Sequence, residues 1–150
     1  MGQQQLLLLV LATVIVGLAT VAGIQAFEQG QNRASQDALT QTAVKVASDV
    51  QANLKEPTQF GGAGAGSASD VSSSDIPSLD NLGYNTSSSS DFDHTGGTVY
   101  KTSAGECSLS GGGSGLPATV KCASDQATVT VEISSLNPGG ITTTSQTIKS

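Results

Sequence analysis

Charge is missing from the first 27 residues, and the first basic side chain in the chain is Arg33. A secretory signal peptide needs a basic stretch ahead of its apolar region, and a myristoylation signal needs serine or threonine where Leu6 stands. The segment is therefore expected either to persist as an anchor or to belong to a chain already processed. Tryptophan is absent and the rest of the chain is poor in large apolar side chains, so the core of any globular part must be thin. Positive charge is scarce as well: six Lys and Arg against twelve Asp and Glu give a net charge of −6. That balance argues against the clustered cations that displace counterions from nucleic acid, and no nucleic-acid partner is expected. Only one histidine is present. No nucleophile of the Gly-x-Ser-x-Gly type and no Asp-x-Asp-x-Asp-Gly loop accompanies it, so neither catalysis nor a cofactor is expected.

What the first segment does have is an apolar run over residues 6–24, interrupted only by threonine and glycine. Nineteen helical residues cover about 28 Å, close to the roughly 30 Å hydrocarbon core of a bilayer. Its apolar side chains occupy every face, so it must be enclosed by lipid or by protein. From Phe27 onward the pattern becomes one-sided. Leu39, Ala43, Val46, Ala47, Val50 and Leu54 recur at spacings of three and four among Gln41, Thr42, Lys45, Asp49 and Lys55. Pro57 ends the pattern. One helix over residues 3–56 is expected, about 80 Å long, with Gly17, Gly23 and Gly30 as its weak points.

Residues 57–97 are rich in glycine and serine around isolated Val71, Ile76, Leu79, Leu82 and Tyr84. They read as a loop region that either wraps over something rigid or stays mobile. Strand signals begin at about Thr98. A short candidate covers residues 98–103; Ala118, Val120 and Cys122 alternate with polar residues, as do Ala127, Val129, Val131 and Ile133. Asn137-Pro138-Gly139-Gly140 is a turn leading into a final strand. Such alternation implies an antiparallel sheet with one buried face, and the amphipathic half of the helix is the apolar surface available to cover it. The two cysteines, Cys107 and Cys122, have no Cys-x-x-Cys spacing and no adjacent histidine. A disulfide in an oxidising compartment is the favoured reading over free thiols. The expected fold is therefore α+β. An apolar helix half (1–27) and an amphipathic half (28–56) precede a loop region (57–97) and a small antiparallel β domain (98–150).

Three local features carry candidate chemistry. Asp91, Asp93 and His94, with Asp75 and Asp80 upstream, are the one concentrated set of metal-ligand types, although aspartates in a turn-rich loop are ordinarily solvated and no metal is expected. Asn85-Thr86-Ser87 is an N-glycosylation sequon, making Asn85 a candidate acceptor. The glycine run at residues 110–115 lacks a phosphate loop's lysine and reads as a flexible connection.

An uncharged start, an apolar then amphipathic helix, a loop, and a small sheet with a disulfide together resemble a type IV pilin. The resemblance covers the architecture of the whole chain, and local motif only near the N-terminus. It implies an extracellular pilus-like filament at the cell surface. Subunits would wait in the inner membrane, be processed by a prepilin peptidase and carry a methylated N-terminus. The assembly machinery would then polymerise identical copies. Met1 fits the family's hydrophobic first residue and is expected to be the first; the alternative, cleavage after Gly2, would place Leu7 fifth. Gln5 stands where family members carry a glutamate, and an amide there can accept a hydrogen bond without burying a charge. The stretch from Gly17 to Gly23 resembles the part of the family's helix that melts on assembly, without its proline. Val14 and Leu18 fall in the expected helical core, where Gly17, Ala19, Gly23 and Ala26 permit close backbone approach. The expected function is that of a major pilin. Two alternatives are a secretion-system pseudopilin and a single-pass membrane-anchored surface or binding protein. With Phe27 the only aromatic of the helix, a conductive filament is disfavoured.

Overall fold

The computed structural model describes residues 2–88, 91–92, 98–113 and 115–149. The chain divides into two units, Met1–Ala34 and Ser35–Ser150. A single helix, α1 (Gly2–Lys55), supplies all of the first unit's described structure and the first element of the second. The helix ends one residue short of the expected limit, ahead of Pro57. Glu56 still donates its N–H to the carbonyl of Ala52 before the chain turns away.

In the second unit a six-stranded antiparallel sheet follows the helix. Its strands are β1 (Thr86–Ser87), β2 (Val99–Thr102), β3 (Gly105–Gly112), β4 (Gly115–Ala123), β5 (Ala127–Ile133) and β6 (Ile141–Ile148). They lie in sequence order, so every connection joins neighbours. Ala118, Val120 and Cys122 of β4 pair with Ile133, Val131 and Val129 of β5, and all six are buried. They form one core with Leu39, Ala43, Val46, Ala47, Val50 and Leu54 of α1. That is the apolar stripe the three-and-four spacing predicts. Two of its six members are alanines, which let helix and sheet approach closely where no large aromatic residue is available. The one buried amide on this stretch, Gln51, donates through Nε2 to the carbonyls of Ser135 at 2.6 Å and Asn137 at 2.9 Å. It ties the helix to the β5–β6 connection.

Three features depart from expectation. β3 is absent from the strand reading because its sequence, GECSLSGG, shows no clean alternation; it forms because Cys107 and Leu109 lie opposite Cys122 and Val120. The glycine run is not simply a flexible connection: Ser110–Gly112 belong to β3 and Gly115 opens β4. Gly115 has φ of +104°, and a Cβ there would lie 2.0 Å from the carbonyl oxygen of Val71. A side chain at that point would push the overlying segment off the sheet. The third departure is that this segment is not wholly outside the core. Val71 and Leu79 are buried, with Ile76, Leu82 and Tyr84 packed around them.

Local hydrogen bonds give order to a segment so poor in apolar residues. The run Ser67-Ala68-Ser69-Asp70 folds back on itself, Asp70 Oδ2 accepting the Ser67 N–H at 2.9 Å while the two serine hydroxyls meet at 2.7 Å. Ser72-Ser73-Ser74-Asp75 repeats the arrangement at 2.8 Å for both contacts. Each cap holds an orphan backbone donor with a carboxylate three residues on. The hydrogen bonds from Ser72, its hydroxyl first, hold the Asp75 carboxyl below its ordinary range.

Cys107 and Cys122 are Cα partners across β3 and β4, 4.0 Å apart, and are joined by a disulfide. Closing that 15-residue separation is expected to contribute about 3 kcal/mol. Replacing both cysteines by alanine should lower Tm by roughly 10–20 °C in a thermal melt. In the same measurement Gln51→Ala should cost about 1–3 kcal/mol, because both carbonyls lose their donor. A smaller effect would show that Gln51 only fills space.

Candidate assembly surface

Residues 2–34 are helical because Leu, Ala and Gln predominate among them and no proline interrupts them. Its two threonines in the apolar run satisfy their own hydroxyls: Thr13 Oγ1 donates to the Val10 carbonyl at 2.9 Å and Thr20 Oγ1 to that of Gly17 at 2.8 Å. Nothing polar in the run therefore needs water. Every apolar side chain on it is exposed within the chain, including Val14 at 52% and Leu18 at 68%. Around Gly17, Gly23 and Gly30 there is open space, so each leaves a notch where another backbone can approach. Gln5, with Gln3 and Gln4, is exposed on the first turns; Met1 lies outside the described residues. The helix is long and apolar enough to cross a membrane. Removing such a surface from water is worth roughly 1.5–3 kcal/mol per large aliphatic side chain.

Among the described residues the acidic candidates do not gather. Asp91 pairs through Oδ2 with Lys101 Nζ at 3.1 Å, and its N–H donates to Glu106 Oε2 at 3.0 Å. Lys101 also reaches Glu106 Oε1 at 2.9 Å. Glu106, then Asp91, hold the ammonium protonated above its ordinary range. One oxygen of the Asp91 carboxylate is thus paired with an ammonium group. Asp80 accepts a short hydrogen bond from Thr86 and Asp75 is engaged with Ser72. Among the described residues no three metal-ligand side chains converge; Asp93 and His94 lie outside the described residues. Asn85 is exposed immediately before β1, and Thr86, the middle residue of its sequon, donates its hydroxyl to Asp80.

One polar constellation escaped the sequence reading. Tyr84 donates a short hydrogen bond to Asp49 of α1, stacks obliquely on Tyr100 at 4.6 Å between ring centres, and lies 5.8 Å beneath Lys45 Nζ. The chain's two tyrosines thus meet where the loop segment crosses the helix. Nothing in their spacing signals it, since Asp49 and Tyr84 are 35 residues apart. Burial first, and then the hydrogen bond to Asp49, push the Tyr84 phenol far above its ordinary 10.0.

No protein-family model, curated protein or solved structure matches the chain.

The Tyr84 shift predicts a pH dependence whose sign follows from proton binding. The native phenol keeps its proton at pH values where the unfolded one has lost it. Its contribution is complete below about pH 10 and declines as pH rises further. Tyr84→Phe should be less stable than the wild type by about 1–2 kcal/mol at pH 8, with the gap narrowing toward pH 11. Urea denaturation at the two pH values measures it; a gap that stays constant would mean the phenol's proton does not contribute.

Proposed function

We propose that the chain is a structural subunit of a type IV pilus-like extracellular filament, polymerising through the apolar part of α1 and carrying the sheet as its outer surface. The observation that carries this reading is the change of character along one unbroken helix. Residues 2–31 bury none of their side chains within the chain, whereas from Leu39 to Leu54 one stripe is fully enclosed by the sheet. A helix serving only as a lipid anchor has no need to continue into the domain it carries. A filament subunit does, since the same rod must link core to coat. Lipid would cover the apolar part before assembly and neighbouring copies afterwards. Because neighbours meet through unlike surfaces, the contact is heterologous and generates an open helical polymer. The subunit's role is mechanical rather than catalytic, and its partners are copies of itself together with the machinery that processes and assembles it.

A secretion-system pseudopilin would share these features but form short assemblies. A permanent membrane anchor would form none. Electron microscopy of the sheared extracellular fraction, with mass-spectrometric identification of the subunit, separates the three.

Val14→Asp or Leu18→Asp should abolish filaments, since an uncompensated buried carboxylate costs several kcal/mol, while residues 28–150 expressed alone still melt cooperatively. Charge also opposes membrane insertion, so a second pair of variants isolates packing. Gly17→Leu and Gly23→Leu raise hydropathy yet close the notches, and should leave membrane insertion intact while sharply reducing filament yield. Undiminished filaments from all four variants would overturn the helical-core reading.

A further inference from the structure

The last strand offers a second self-complementary surface. β6 runs over eight residues, ITTTSQTI, and no strand lies beyond it among the described residues. The opposite edge of the sheet is the two-residue β1. Natural sheets blunt long free edges with lysine, proline or inward-pointing charge, because unpaired backbone groups recruit other strands. β6 has no lysine, proline or charge over these eight residues, and the one edge-modifying device it carries is a bulge against β5. On a chain of net charge −6 it is an uncharged strip, where two like-charged copies can meet with no charged side chain of either strand at the contact.

Its sequence and its faces both fit a second copy. Ile141, Thr143, Gln146 and Ile148 lie opposite Ile133, Val131, Val129 and Ala127 of β5 and share the inner face; Thr142, Ser145 and Thr147 lie opposite Glu132, Thr130 and Thr128 on the outer face. Thr144 has no partner on β5, because the register shifts by one residue there. In a regular strand Ile141 and Ile148, an odd number of residues apart, would point to opposite faces. The bulge at Thr144 puts them on the same one. An antiparallel pairing of β6 with itself about Thr144 and Ser145 then sets Ile141 against Ile148, Thr142 against Thr147, and Thr143 against Gln146, each pair on one face. Isoleucine meets isoleucine and hydroxyl meets hydroxyl, the pairs that stabilise antiparallel ladders. Ile148, which is 47% exposed in the single chain, gains an apolar neighbour.

We infer that β6 is a homotypic docking edge, pairing antiparallel with β6 of a second copy across a twofold axis. This contact is isologous and so cannot repeat along a polar filament whose subunits all point one way. On the filament reading of the preceding subsection, it joins subunits of adjacent filaments and draws them into bundles.

The experiment traps the ladder. Full-length Ile141→Cys and Ile148→Cys chains are co-expressed and oxidised; the native cysteines are bonded to each other and do not compete. A disulfide-linked adduct between the two variants is expected, and its absence from either variant alone. Adding Thr142→Lys and Thr147→Lys to both chains sets like charges opposite each other twice at exposed positions, and should eliminate the adduct with Tm unchanged. A 1:1 mixture of that lysine pair with the corresponding Thr142→Glu and Thr147→Glu chains should restore it. An adduct equal in all pairings, one that survives the lysines, or none in the mixture would overturn the proposal. Trapping requires no filament, so a trapped pair without filaments would count against polymerisation alone, and unbundled filaments without a trapped pair against the edge alone.

Discussion

Everything in the second unit depends on six aliphatic residues of α1 lying on the inner face of β4 and β5. Leu39, Ala43, Val46, Ala47, Val50 and Leu54 close one side of a core whose other side is Val120, Cys122, Val129, Val131 and Ile133. With no tryptophan and few large side chains, the core must rely on close approach and complete burial. The alanines on the helix face provide the approach. The disulfide adds a covalent tie within the same core, between β3 and β4. Gln51 and Tyr84 then fix the helix from its flanks, one through backbone carbonyls of the β5–β6 connection and the other through Asp49.

The same helix carries a quite different surface over its first thirty or so residues, where nothing from the chain itself covers it. Its threonines close their hydrogen bonds on the preceding turn. It can therefore pass between hydrocarbon and a packed protein environment without exchanging any polar partner. Polymerisation by such a segment, as proposed, would require shape matching rather than recognition by polar groups. Gln3, Gln4 and Gln5 are the exception. In the proposed filament their amides would need hydrogen-bond partners on a neighbouring copy.

The helix and the two central strands were legible because each has a single dominant environment. Period 3.6 at residues 39–54 and period two at residues 118–133 are what one buried face produces. β3 was not legible, because its buried residues include Glu106 and Ser108, and its place is set by what pairs with it rather than by its own pattern. The contact between Tyr84 and Asp49 was equally silent, since a hydrogen bond across 35 residues leaves no periodic trace. The disulfide followed from counting cysteines, although only the register places the two opposite each other. For the acidic set, composition pointed to Asp91, yet Lys101 and Glu106, its actual partners, come from β2 and β3 and are drawn in by the fold.

The two serine–aspartate caps at residues 67–75 hold their shape within four residues each, and only Val71 between them reaches into the core. A stretch of exterior built this way is modular. Residues between the anchor points can be exchanged, or short pieces inserted, without the change being transmitted to the helix or the sheet. For a protein that presents this segment to its surroundings, the exterior can diversify quickly under selection while the interior stays constant.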